Sequence, residues 1–162
     1  MDTQPWEAEI SALLNELSGT QSELLGLLEE KRRLLVASDT AGLQALAVRE
    51  EAVVRRLQGC QDLRARLLAQ AAEQQLPSDS IRALAKVMPG TARKQLLAQV
   101  DEAGRRFRLL GHHSLANWVL IQRSLLHLSQ LIEIIATGGR RRPTYGKTDD
   151  CHCGGSLVDQ AA

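Results

Sequence analysis

The stretch LANWVLIQRSLLHLSQLIEII, residues 115–135, decides the fold of this chain. Twelve of its twenty-one residues are large and apolar, and no proline interrupts it. It closes a longer pattern in which Leu96, Val100, Ala103, Phe107, Leu110, Ser114, Asn117, Ile121, Ser124, Leu128, Leu131 and Ile135 advance in alternating steps of four and three. That spacing keeps one stripe of an α-helix turned toward one neighbour. Leu115, Trp118, Val119, Leu120, Leu125, Leu126, Ile132 and Ile134 lie outside the stripe. Apolar surface in such excess is an aggregation hazard when left in water, so the pattern predicts a helix that needs a protein partner. Ser114, Asn117 and Ser124 are polar members of the stripe, and two readings stay open for them. They set internal register, or they belong to a section that meets a partner.

Upstream the same periodicity recurs twice. Ile10, Leu14, Leu17, Gln21, Leu24, Leu28, Lys31 and Leu35 form one seam, widened by Leu13, Leu27 and Leu34. Leu43, Leu46, Glu50, Val53, Leu57, Cys60, Arg64, Leu67 and Ala71 form the next. Thr3 is a candidate N-cap for the first helix, and Ser38 or Asp39 for the second. Because the connection at Ser38-Asp39 is so short, the two helices are expected to form an antiparallel hairpin. Ile81, Leu84, Ala85 and Met88 share one face of a short piece capped by Ser78 or Asp79 and ended by Pro89-Gly90, after which Thr91 is the expected cap of the last helix. Gly138-Gly139 ends that helix. The expected fold is all-α: an elongated antiparallel bundle or coiled coil of three long helices and one short one, over about 4–37, 39–75, 79–88 and 91–137. A helical domain, 1–139, is followed by a disordered tail, 140–162, rich in Gly, Thr and Asp. Gly104 and Gly111, one heptad apart, read either as local flexibility or close helix approach, or as a hinge.

Composition narrows the function. The chain has 162 residues, 44% apolar, and only four aromatic side chains, Trp6, Phe107, Trp118 and Tyr145. Small enzymes shape pockets with aromatic and polar groups, whereas Leu, Ala, Val and Ile dominate here. Residues 1–75 hold eight Lys/Arg against twelve Asp/Glu, and residues 76–162 twelve against seven. Complementary halves suit a chain that folds back on itself, and neither is basic enough to point to nucleic acid. The acidic start lacks the apolar core of a signal peptide, and no uninterrupted apolar run reaches spanning length. A cytoplasmic protein without stable membrane insertion is expected.

Candidate chemistry is sparse. No carboxylate pair, phosphate-binding glycine loop or Ser/His/Asp arrangement occurs, so no enzymatic activity and no cofactor are expected. Cys151-His152-Cys153 offers soft-metal ligands, but at a spacing too tight for an ordinary structural zinc site. A metal- or redox-responsive regulator built on these three residues is the weakest reading. Cys60 sits in a seam as a small apolar filler. His112-His113 reads as a solvated face. Arg140-Arg141-Arg142 reads as a basic run beside the negative end of the helix dipole.

Four features in order give the chain a known likeness. They are Leu-Leu-Glu-Glu-Lys-Arg-Arg-Leu-Leu (27–35); Ser38-Asp39 followed by Leu43 to Leu46 and Arg49-Glu50-Glu51; Asn-Trp-Val-Leu-Ile-Gln-Arg-Ser (117–124); and Thr144-Tyr145-Gly146 with Gly155-Ser156-Leu157-Val158-Asp159. In this arrangement the chain resembles the FlgN family of flagellar export chaperones. The resemblance implies a cytoplasmic helical chaperone that holds the terminal amphipathic helices of hook-associated proteins and brings them to the flagellar type III export gate. It implies client contacts at Asn117, Trp118, Ile121, Leu125, Leu128, Ile132 and Ile135, and a gate contact at Tyr145. The Gly-Gly-Arg-Arg-Arg run and the Cys-His-Cys between the tail pieces depart from the family pattern. The rival reading is a structural coiled-coil tether or self-assembling scaffold without a client, and the heptads alone leave a homo-oligomer open.

Overall fold

Asp39 does two jobs at the first turn of the chain. As the residue after a left-handed Ser38 (φ 54°), it closes a Schellman motif on helix α1, Gln4–Ala37, its N–H reaching Leu34 O at 3.0 Å. As the N-cap of helix α2, Thr40–Glu73, its carboxylate accepts the Gly42 N–H at 2.9 Å. A Cβ at Gly42 would lie 2.6 Å from that carboxylate and 2.7 Å from Leu34, which explains the glycine. One shared residue leaves no slack between the helices, and they run antiparallel. Trp6 Nε1 donates to Gln74 Oε1 at 3.1 Å, Arg56 meets Glu16 and Glu23, and Lys31 meets Glu50 at 2.8 Å. Lys31 and Glu50, polar members of the opposed seams, thus satisfy each other.

The computed structural model describes residues 4–138. Helix α3, Ile81–Lys86, and helix α4, Gly90–Thr137, complete the all-α architecture expected from the periodicities. Several ends differ from expectation. Helix α2 stops at Glu73 in a second Schellman motif, with Gln75 left-handed (φ 58°) and Leu76 N–H on Ala71 O at 2.8 Å. Ser80, rather than Ser78 or Asp79, caps α3 through Ala83 N–H at 3.1 Å. Helix α4 starts at Gly90 with φ +41°, one residue ahead of Thr91. It ends where Gly138 turns left-handed at φ +61°. Thr3 and the tail from residue 139 onward lie outside the described residues.

The chain divides into two units, Met1–Trp118 and Val119–Ala162. In the first, the main core gathers Ile10, Leu13 and Leu14 of α1, Leu67 and Ala71 of α2, Leu84 and Ala85 of α3, and Leu96 of α4. Trp6 is buried in the same cluster. Its place four residues before Ile10 is the signal that extends the first seam by one more turn. A smaller cluster of Leu27, Leu46 and Val53 holds the other end of the hairpin together. Of the expected α2 seam only the row Leu46, Val53, Cys60, Leu67, with Ala71, is fully buried. Arg64 is exposed.

Within the first unit α4 runs parallel to α1 and is joined to it by polar groups. Gln99 donates to Asn15 at 3.1 Å, Gln21 to Ala103 O at 3.2 Å, and Arg106 to Ser18 O at 3.1 Å. This corrects the expected α4 seam at two of its members. Phe107, placed in the seam by spacing, is 71% exposed, and Ser114 is exposed as well. The buried line passes through Leu96, Leu110 and Asn117, with Arg106 half-buried beside it. A guanidinium that reaches a backbone carbonyl can take the inner position because its aliphatic stem packs while its charge stays bonded. Gly111 has no atom within 4 Å of an added Cβ, and Gly104 meets only the tip of Arg108. Neither glycine makes room for a neighbouring helix.

Candidate protein-binding face of the last helix

Asn117 is the last polar residue held by the first unit. It is 4% exposed, and its amide donates to Leu28 O at 2.8 Å. Of the two readings open for the polar seam residues, Asn117 follows the internal one. Its side-chain amide is engaged by a backbone carbonyl of α1. Trp118, one residue on, is 57% exposed.

Beyond Trp118 the helix bears the residues expected to meet a partner. Ile121 is half-buried, and from Gln122 to Thr137 every residue is exposed. Leu125 is 55% and Ile132 65% exposed, and Leu128, Leu131, Ile134 and Ile135 are open as well. Arg123 and Glu133 are the only Lys, Arg, Asp or Glu between Val119 and Thr137. Ser124 Oγ donates back to Leu120 O at 3.0 Å, which spends its hydroxyl on the helix itself and leaves its carbon side to the solvent. An α-helix that is apolar over much of its circumference belongs in a core or against another apolar surface. By length and composition α4 could also cross a membrane, with an 18-residue window of mean hydropathy 1.3, none of it buried.

The remaining candidates carry little chemistry. Cys60 is buried, and burial pushes its thiol up from the ordinary cysteine range, which suits a filler and disfavours a nucleophile. Among the described residues no group of three or more His, Cys, Asp and Glu is placed to hold a metal ion. Cys151, His152, Cys153 and Tyr145 lie outside the described residues. Arg105, bonded to Glu102 at 2.6 Å, holds that carboxyl below the usual glutamate range, an ion pair on an open surface. His113 is half-buried while His112 is exposed, so only one of the pair lies on a solvated face.

A helical bundle with its own core, in a chain whose last helix keeps open aliphatic faces, has the make-up of a protein-binding module. Comparison with known proteins places it further. The model of the FlgN family, described as FlgN protein, matches residues 1–150, and the chain belongs to that family of flagellar export chaperones. No curated protein and no solved structure matches it. Chaperones of this family are soluble cytoplasmic proteins that bind flagellar hook-associated proteins.

Proposed function

We propose that this chain is a cytoplasmic export chaperone that holds amphipathic terminal helices of hook-associated proteins on helix α4 and delivers them to the flagellar type III export gate. The client contacts are Trp118, Ile121, Leu125, Leu128, Ile132 and Ile135. Asn117 positions the helix through Leu28 rather than touching the client, and Tyr145 docks on the gate component. The observation that carries this reading is the uncovered aliphatic surface from Leu125 to Ile135. Client helices that assemble through coiled-coil contacts expose the same kind of surface, and a substitute face laid along them keeps both out of water. Chemistry on the client is not required, only reversible burial.

Co-purification of the full chain with a hook-associated subunit tests this directly. Leu125→Ser/Ile132→Ser is expected to lose the subunit while keeping the helical fold, since both side chains are exposed. Retention of the subunit at the wild-type level would overturn the assignment of the face. Removing residues 143–162 is expected to leave the subunit bound and to lower its export. Light scattering without client separates the rival scaffold, which requires self-association.

A further inference from the structure

The apolar surface of the helix Val119–Thr137 is too wide for one neighbour. At about 100° per residue, Ile121, Leu125, Leu128, Ile132 and Ile135 fall on one line along the helix. Leu120, Ser124, His127, Leu131 and Ile134 fall on a second line about 100° away. Both series step by four and three, the spacing of a helix-packing seam. The opposite sector holds Gln122, Arg123, Ser129, Gln130 and Glu133, with Leu126 the one large exposed apolar residue among them. An amphipathic helix on the surface of a globular protein has an apolar stripe of about 100°; here the two seams together cover about 200°.

Building on the chaperone reading, we infer that this helix takes two client helices at once, one on each seam. Area decides between one helix and two. The segment is about 28 Å long at 1.5 Å per residue, so a 100° seam on a helix about 11 Å across offers about 300 Å² of accessible surface. Specific interfaces begin at about 600 Å² per partner, which one seam does not reach and two do. The seams also differ in chemistry. The first is wholly aliphatic, whereas the second carries the exposed His127 between Leu120 and Leu131. In a ring of identical helices the aliphatic seam of one copy would bury the imidazole of the next with no hydrogen-bond partner, at a desolvation cost. A client helix with a polar side chain opposite His127 avoids that cost. A lipid bilayer fits worse still, because Arg123 and Glu133 would enter hydrocarbon along with the rest of the polar sector.

Titration of the full chain with a purified hook-associated subunit reads this out. Leu131→Ser/Ile134→Ser, confined to the second seam, and Leu125→Ser/Ile132→Ser, confined to the first, are each expected to weaken binding about tenfold or more. Gln122→Ser/Gln130→Ser in the polar sector is expected to bind as wild type. A subunit lacking one of its terminal helices is expected to bind about tenfold more weakly and to stop responding to one of the two seam variants. If the second-seam variant binds as tightly as the polar-sector control while the first-seam variant fails, a single helix sits in a single seam and the inference is wrong. Self-association by light scattering without client, or co-sedimentation with phosphatidylcholine/phosphatidylglycerol vesicles, overturns it in favour of a second copy or a membrane. Failure of the wild-type chain to bind any hook-associated subunit is a different result: it removes the chaperone reading, and this inference with it.

Discussion

Leu84 and Leu125 are the same side chain in opposite circumstances. The first is completely buried where α1, α2, α3 and the start of α4 meet, and the second is 55% exposed on the later part of α4. Both sit in helices with three-four apolar spacing, so the repeat itself does not distinguish them. What differs is supply. In the first unit the buried seam residues have partners in the same chain, down to Lys31 facing Glu50 and Asn117 facing Leu28 O. The helix Val119–Thr137 repeats the pattern with its aliphatic side chains open among the described residues. A heptad thus specifies a demand for burial, and whether the chain meets that demand itself separates stability from binding.

The sharpest way to break this contrast is to shorten one side chain in each region. Leu67→Ala in the main core is expected to cost about 2–5 kcal/mol in urea unfolding, while Leu125→Ala is expected to stay within about 0.5 kcal/mol. Equal losses would mean that the late helix is part of the folding core. Asn117→Ala is next in size. Losing the bond to Leu28 O is expected to destabilise by about 1 kcal/mol, and amide exchange along the turn around residue 117 should quicken. Gly111→Ala is expected to act in the other direction, stabilising by about 1 kcal/mol, because a helical glycine with empty space around it gains propensity and meets no clash. If it also slows client exchange, the glycine serves as a hinge.

The smallest effect concerns pH. Arg105 depresses the folded pKa of Glu102, so this pair's contribution is fully present above the unfolded glutamate pKa and is lost as pH falls through the depressed value. Any difference in melting temperature between wild type and Glu102→Gln should therefore be confined to neutral conditions and disappear in acid. The surface position and screening keep it slight.

The helices were legible because long aliphatic repeats leave no other structure that buries them, and Asp39, Pro89-Gly90 and Gly138 mark their limits chemically. Cap positions were less legible, since Ser78, Asp79 and Ser80 all offer an oxygen and only backbone geometry selects Ser80. The expected α4 seam failed at Phe107 for a related reason. Periodicity ranks a phenylalanine above an arginine, yet Arg106 takes the inner side because Ser18 O can accept its guanidinium. Of the proposed client contacts, the apolar excess around Leu125 and Ile132 could be read directly. That Asn117 turns inward depended on a carbonyl eighty-nine residues away in sequence.

Hydrogen exchange of the full chain with and without a bound hook-associated subunit tests the central claim most directly. Burial of the uncovered helix by client predicts slowed exchange at amides between Val119 and Thr137, with little change at the core around Leu67 and Leu84. Unchanged exchange in 119–137, with protection arising elsewhere, would contradict the account.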